Sequence, residues 1–587
     1  MADDNSPVLN GKPQAWYQGL TRHQWWILII ASMGWMFDTM DQQFFNLGRG
    51  PAMKQVLKYD PVVPGLKQLG KAAQARYTPN DLDALIADGV LTAKQKKEVL
   101  TDHNGNGREY ATRKDVATVV GEVILAPKFI ELGNAKLAEN QITADVFDKA
   151  ALDDVVAKDI LSAGVAEKQL TTYPSGMIPK ADLAQYIGKE MAKAETDKAG
   201  DNATFIFVMG WAIGGLFFGW VGDSLGRAKT MALTILCYAI FTGLNGLAQT
   251  ELQFNILRFL TALGVGGEFA AGAALVAESM PDRSRPAALG ALQAISAVGN
   301  MMGAALAFFI MPVLGWRWLF AIGALPGIVA VFVFLGLKEP EKWKQARAKW
   351  LDEKAKGITK TRASYAGLFQ DPRWRKRAII GLLLGVVGVG GLWGVGFFTP
   401  ELNRSIAKNY SEEAKEKMVS IAFFLQQFGA FFGISAYTFV ALKMGRRSAF
   451  GIFFLLAFFI VSYTFLFADT ITEAYVLAPL VGFVTLGPFG GYAIYFPELF
   501  PTRLRATGVG FCYNVGRFLA ALVPSAKSGL KGLFMSGALM LPFLPAAVGD
   551  AERAIRYGSF VMIFIYLIGL VILLFAPETK GQPLPED

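Results

Sequence analysis

The chain has little histidine, cysteine or charge. Only two histidines, His23 and His103, occur in 587 residues. Both lie outside the long apolar runs, so no histidine can relay protons in mid-membrane, and no Ser–His or Cys–His pair suggests a nucleophilic enzyme. The two cysteines, Cys237 and Cys512, sit inside apolar blocks. That excludes a disulfide framework and a zinc site. Charged residues are only 18% of the chain and cluster between the apolar blocks. No G-x4-G-K-[ST] loop is present to cradle a nucleotide. Neither a cofactor nor a metal is expected.

Hydrophobic residues dominate instead, at 53%, with a mean hydropathy of +0.35. They come in blocks of roughly 20, the length that crosses about 30 Å of hydrocarbon. The net charge of +9 fits basic loops beside membrane spans better than a nucleic-acid partner. Spans are expected near 25–46, 203–221, 230–248, 253–279, 287–311, 317–337, 378–399, 418–441, 449–468, 474–498, 506–523 and 557–576. The fold class is therefore all-α, a polytopic membrane protein of twelve transmembrane helices. The polar start and the lack of a small-residue cleavage site mark span 1 as retained rather than a signal peptide.

Lys and Arg set the orientation. Arg227, Lys229, Arg283, Arg285, the basic stretch 338–377, Lys443, Arg446, Arg447, Arg503 and Arg505 fall on one set of connections. The opposite short connections carry almost none apart from Arg317. The basic side and both termini are expected in the cytoplasm, as for a bacterial inner-membrane protein. The chain then divides into a cytoplasmic tail (1–24), span 1 (25–47), an extracytoplasmic insert (48–202), the rest of the N-terminal bundle (203–337), a basic cytoplasmic loop (338–377), the C-terminal bundle (378–576) and a cytoplasmic tail (577–587).

The insert is rich in Ala, Lys, Asp and Glu, with short amphipathic stretches between turn signals. A small all-α accessory cap without disulfides is expected. Asp102, Asn104, Asn106 and Gly107 match the opening of an EF-hand loop. Its twelfth position is Arg113, a cation where a bidentate Glu belongs, so the segment reads as a polar turn.

The remainder repeats itself. Glu278–Gly290 and Glu498–Gly510 share E-x-x-P-x-R-x-R-x4-G, and Gly210, Gly214, Gly226 and Arg227 answer Gly429, Gly433, Gly445 and Arg446. Both pairs keep nearly one shift, which makes two pseudo-symmetric six-helix bundles related by a parallel repeat. In such an architecture the binding site lies at mid-depth between the halves.

These residues resemble the major facilitator superfamily. "GWVGDSLGRAK" (219–229) is similar to its loop 2–3 signature, with Ser224 in place of the usual basic residue, and the second-half copy has Leu442 where the Asp would stand. "RFLTALGVGGE" (Arg258–Glu268) resembles the fourth-helix signature of the metabolite:proton symporter branches, with Ala262 for a usual Gly. "PETKG" (577–581) and "EPEKW" (339–343) are similar to sugar-porter motifs. "WMFDTMDQQ" (35–43) resembles the first-helix D-x-x-D of niacin-like and aromatic-acid:proton symporters, with Thr39 for the usual Gly. In the resembled family the loop 2–3 Asp sits by the start of helix 11, where the helix dipole favours an anion.

The cytoplasmic face carries a candidate gate of Asp223, Arg227, Glu278, Arg283, Arg446, Glu498 and Arg503. Exposed ion pairs contribute only about 0–1 kcal/mol each, so single breaks should shift populations rather than abolish folding. In span 10, Pro488 among Gly487, Gly490 and Gly491 is expected to weaken the backbone ladder and provide a bending gate. Polar and aromatic residues within spans supply substrate-binding candidates: Gln42, Gln293, Asn300, Trp393, Gln426, Tyr492, Asn514 and Arg517. Such polar residues also serve as interhelical glue, and small residues as packing surfaces.

Depth arithmetic selects the coupling candidates Asp38, Asp41, Arg258 and Glu268. Asp38 lies roughly 20 Å from the cytoplasmic face, at a depth similar to Arg258 and Arg517. A static Asp38–Arg258 ion pair is one reading; exchange of a proton at Asp38 or Asp41 is the other. The chain is expected to be a secondary active transporter, a monomer, that couples protons to a small organic metabolite, a small carboxylate first. An uncoupled facilitator of a sugar or organic ion, and a transporter-like sensor whose insert binds the ligand, are the alternatives.

Overall fold

The computed structural model describes residues 8–9, 12–13, 15–69, 76–101, 108–158, 160–161, 166, 169–173, 175–356, 365–407, 410, 412–520 and 523–585. Helix dominates. The strands among the described residues form three antiparallel two-residue pairs, Val8–Leu9 with Lys12–Pro13, Arg76–Tyr77 with Ala111–Thr112, and Val146–Phe147 with Ile178–Pro179.

The twelve spans run Arg22–Val56, Lys180–Leu225, Arg227–Asn245, Glu251–Ser279, Arg285–Leu314, Trp316–Ile322 with Gly327–Gly336, Pro372–Ile406, Glu412–Met444, Arg446–Phe467, Ile471–Leu499, Arg505–Ala520, and Ala551–Ile563 with Ile565–Leu573. Among the described residues eight helices are long and apolar enough, by length and composition, to cross a membrane.

The boundaries differ from the expected ones for physical reasons. Hydropathy marks where lipid can lie, not where the hydrogen-bonded ladder stops. Spans 1 and 2 are therefore helices of 35 and 46 residues. Span 6 is broken at Gly323–Pro326, because Pro326 cannot continue the ladder and instead stands before Gly327–Gly336. Span 10 corrects an expectation. It is one continuous helix through Pro479, Pro488 and Pro497, with no break at Pro488. Its glycines hold it against its neighbours: a Cβ on Gly487 would meet the Phe453 ring, and one on Gly491 the Tyr437 ring. Close packing thus preserves what the proline alone would weaken. Helical residues Val523–Met535 follow span 11 in the chain before span 12.

Two compact units emerge. One is Arg49–Ala203 with Gln249–Glu251; the other comprises Met1–Gly48, Thr204–Ala248 and Leu252–Asp587. The smaller unit is built twice over from one plan. The first strand pair brackets Pro79–Ala87 and Ala93–Val99 and leads into Arg113–Glu139, the second brackets Lys149–Ala157 and leads into Lys180–Leu225, and each copy has its own apolar core, one around Leu82 and Val116, the other around Phe147 and Val155. Thr78, Thr92 and Thr112 form capping boxes that start three of its helices. Tyr59 donates to Glu195 at 2.6 Å. Burial first, and the Glu195 carboxylate second, push the Tyr59 hydroxyl up to about 12. The calcium-loop opening at 102–107 lies outside the described residues.

Candidate functional site

Span 1 supplies two carboxylates one helical turn apart, and the structure gives them different company. Asp41 is fully engaged. Arg258 of span 4 donates to it from Nη1 at 3.4 Å and Nη2 at 2.9 Å, and Thr242 of span 3 donates at 2.7 Å. The guanidinium carbon lies 4.8–5.2 Å from the ring centroids of Phe45, Phe207 and Phe320. The ion pair therefore belongs to Asp41, not to Asp38 as the depth arithmetic allowed. Depth alone cannot tell which side of span 1 faces span 4.

Asp38 is completely buried. Its Oδ2 accepts one hydrogen bond, from Gln42 at 3.3 Å, and its Oδ1 has no partner. Its electrostatic neighbours are two further carboxyl groups, Glu268 and Asp41, and one cation, Arg517. An anionic oxygen left without a donor is costly in a low-dielectric interior.

Glu268 is buried on span 4. Thr234 lies 2.7 Å from its Oε2, and its Oε1 has no partner. The same Thr234 hydroxyl is 2.9 Å from the Met231 carbonyl. One hydroxyl hydrogen cannot serve both acceptors fully. Both contacts are complete hydrogen bonds together only when Glu268 carries the proton and donates it to Thr234. Gly34, one turn below Asp38, makes room for this carboxyl: a Cβ there would lie 2.4 Å from Glu268 Oε1.

Arg517 of span 11 is the opposite case, a buried cation without an acid. It donates to the Tyr513 carbonyl at 2.7 Å and to Asn514 Oδ1 at 2.9 Å. Its guanidinium carbon lies 3.9 Å from the Trp211 ring and 4.4 Å from the Tyr513 ring. Its Nε has no partner, and no carboxylate pairs with it among the described residues. Tyr513 in turn stacks on Phe269 at 4.0 Å. Trp211, Tyr513, Phe269, Thr234 and Thr242 were not among the sequence candidates. Only three-dimensional packing gathers them, since single aromatics and threonines in apolar spans carry no distinguishing spacing.

The remaining candidates are dispersed. Asn300 of span 5 donates to Gln427 of span 8 at 3.1 Å, linking the two halves. Gln293 reaches Ser296 at 3.4 Å and leaves its Oε1 without a partner; Gln426 is buried on span 8. Asn514 sits where Gly215 of span 2 leaves space, as a Cβ on Gly215 would be 2.0 Å from its Nδ2. Tyr492 is not gathered with Arg517. Its hydroxyl donates to the Leu384 carbonyl at 2.8 Å and its ring stacks on Phe496, inside the C-terminal bundle. The side chain of Trp393 lies outside the described residues.

At the basic end the halves are tied together. Asp223 accepts the backbone N–H groups of Ala506 at 3.1 Å and Thr507 at 2.8 Å, at the start of span 11. Arg227 pairs with Asp223 and Glu278, each at 2.9 Å, and also donates to the Thr502 carbonyl at 2.6 Å. Glu278 is reached from the other half by Arg505 at 2.8 Å. In the second half Arg446 holds Glu498 at 2.8 Å, and Thr579 donates to the same carboxylate at 2.5 Å. Two positions need correction. Arg505 rather than Arg503 supplies the buried cross-half bond, and Arg283 is exposed while Arg285 is buried. Arg285 and Arg505 are the first residues of their helices and both are buried; Arg505 joins the cluster, while Arg285 donates to the Ala277 carbonyl at 3.0 Å and pairs with Asp282. The cluster is also buried, not a set of exposed ion pairs.

Glutamates cap the next helices. Glu339 accepts the N–H groups of Arg227, Ala228 and Lys229, and Glu578 those of Arg446 and Arg447. Gly226 and Gly445 adopt φ of 124° and 99°, and a Cβ at either would collide with the capping carboxylate. For Glu578, burial pushes its carboxyl up, but backbone N–H groups of Arg446, Lys580, Arg447 and Thr579 outweigh it and hold it below the usual range.

Residues 183–525 match the family model of the Major Facilitator Superfamily. A cis,cis-muconate transport protein of Acinetobacter baylyi is 33% identical over 375 residues, which cover 64% of this chain and 84% of that protein. Two solved structures share the fold. The proton:xylose symporter XylE is 16% identical with a TM-score of 0.50, covering 67% of this chain and 89% of that one. The human organic anion transporter MFSD10 is 12% identical with a TM-score of 0.52, covering 94% and 100%.

Proposed function

Because the chain belongs to the major facilitator superfamily, as a multi-pass membrane transporter and not an enzyme, we propose that it carries a small organic carboxylate together with a proton by alternating access. The observation that carries this reading is Arg517, a buried guanidinium between two aromatic rings with no acidic partner among the described residues. Charge-assisted bonds to a carboxylate are the strongest such a group can make. The relative named for muconate, itself a carboxylate, supports that substrate class.

Coupling follows from charge balance. We infer that while the site is empty Asp38 ionises as the counter-charge to Arg517, the one opposite charge in its surroundings. A substrate carboxylate on Arg517 takes over that role, and the low-dielectric site stays neutral only if Asp38 takes a proton. Substrate and proton then bind cooperatively, each favouring the other by the same factor. Glu268 and Thr234 form a second proton-holding position one turn away. Asp41 and Arg258, already paired, fix span 1 against span 4.

The buried ties of Asp223, Arg227, Glu278 and Arg505 act as the cytoplasmic latch, in an orientation with basic loops and both termini in the cytoplasm of a bacterial cell. The 49–203 unit is an extracytoplasmic accessory cap, and the carrier works as a monomer. The test is uptake by proteoliposomes of a panel of small carboxylates, each with and without an imposed proton gradient. Gradient-driven accumulation of a carboxylate supports the proposal. Gradient-independent equilibration of every substrate would replace it with facilitation.

A further inference from the structure

The start of span 7 carries four cations in five residues, Arg373, Arg375, Lys376 and Arg377. Two are engaged by the protein. Arg373 pairs with Asp371 at 3.6 Å and Arg377 donates to the Leu499 carbonyl at 3.0 Å; both guanidiniums also lie over the Trp374 ring. Arg375 and Lys376 are exposed, and neither has a carboxylate partner among the described residues.

Both border a groove of about 500 Å³ between the beginning of span 7 and the end of span 12. Below the two cations its walls are apolar. Ile379 and Leu383 follow on the same face of span 7 at helical spacing, and Val571 and Phe575 stand opposite on span 12. These four are 42–64% exposed, as side chains that face lipid are. From Arg375 to Leu383 the groove extends roughly 12 Å into the hydrocarbon.

We propose that this groove is a binding site for an anionic phospholipid, with its phosphate between Arg375 and Lys376 and an acyl chain along Ile379, Leu383, Val571 and Phe575. A zwitterionic lipid fits the apolar part equally well, but its choline would return a positive charge to a doubly basic mouth. The occupant that matches both ends is the anionic one. Such a lipid ties the entry of span 7 to the exit of span 12, next to the Arg377–Leu499 contact at the root of span 10.

Native mass spectrometry of the full-length protein, exchanged from detergent into phosphatidylglycerol or phosphatidylcholine of equal chain length, tests the site. A basic residue near an anionic headgroup is worth roughly fivefold in affinity, so the wild type should retain phosphatidylglycerol at least roughly tenfold better. The preference should vanish in R375Q/K376Q and survive in the charge-conserving R375K/K376R. I379W, which fills the groove, should lower retention of both lipids. Equal retention of the two lipids by the wild type, or an undiminished preference in R375Q/K376Q, would overturn the headgroup assignment. Unchanged retention in I379W would overturn the acyl position.

Discussion

Arg258 holds Asp41 at 2.9 Å across spans 4 and 1, and the pair is sealed by three phenylalanine rings. That one bond separates two carboxylates that look alike in sequence. It leaves Asp38, a turn away, as the span 1 acid without a direct cation. The division of labour has measurable consequences.

Arg258→Gln leaves Asp41 buried without its counter-charge. Removing one partner of a buried pair costs about 3–5 kcal/mol. The variant should therefore unfold at clearly lower temperature in detergent, whereas Arg258→Gln with Asp41→Asn should recover much of the loss. A double variant no more stable than the single one would assign Asp41 another role.

Arg517→Ala should raise the KM for the carboxylate substrate by roughly tenfold to a hundredfold, the worth of a charge-assisted hydrogen bond. Arg517→Lys should recover part of it, because the charge stays and the planar fork does not. Uptake measured over a range of substrate concentration decides. Unchanged KM in both variants removes Arg517 from the binding site.

Thr234→Val removes the hydroxyl that stands between Glu268 and the Met231 carbonyl. It should move the pH profile of uptake and lower stability by about 1–3 kcal/mol, because the buried Glu268 carboxyl loses its hydroxyl partner. A pH profile superimposable on that of the wild type would make Thr234 a bystander.

Asp223→Asn or Glu278→Gln breaks buried bonds that join the halves. Spin labels on Leu225 and Phe369 should report longer distances at the basic end, with substrate affinity little changed. Distances identical to those of the unaltered protein would mean that these bonds do not set the conformational equilibrium.

Glu578 lies outside the spans and offers a pH test. Its carboxyl is held low by backbone N–H groups, so its ionised form stabilises the fold at neutral pH. That contribution is lost as pH falls from the ordinary Glu range, about 4.3, through the lower folded value. Glu578→Gln should be less stable than the parent at neutral pH, and the gap should narrow in acid. A gap that stays constant from neutral pH down into acid would contradict the capping role.

The fold was largely legible because lipid enforces simple rules. Blocks of apolar residues, the basic connections and the E-x-x-P-x-R-x-R repeat point to the spans and their two-part arrangement. Helix ends were less so, since amphipathic segments such as 180–202 extend a helix without adding hydropathy. The continuity of span 10 was hidden too, because a proline's effect depends on neighbours such as Phe453 and Tyr437. In the site, Asp38, Asp41, Glu268, Arg258 and Arg517 stood out as ionisable residues in apolar runs. Their pairing did not, because it depends on how spans 1, 3, 4 and 11 are rotated. The Glu339 and Glu578 caps are equivalent in the two halves, yet the second is displaced from the repeat by the added residues around Val523–Met535.

If Asp38 carries the coupled proton, proteoliposomes of Asp38→Asn will reveal it. The two readings needed are accumulation of the carboxylate under an imposed proton gradient and exchange of labelled for unlabelled substrate at equal pH. Accumulation should be lost while exchange continues. Gradient-driven accumulation at the wild-type level in Asp38→Asn would contradict it.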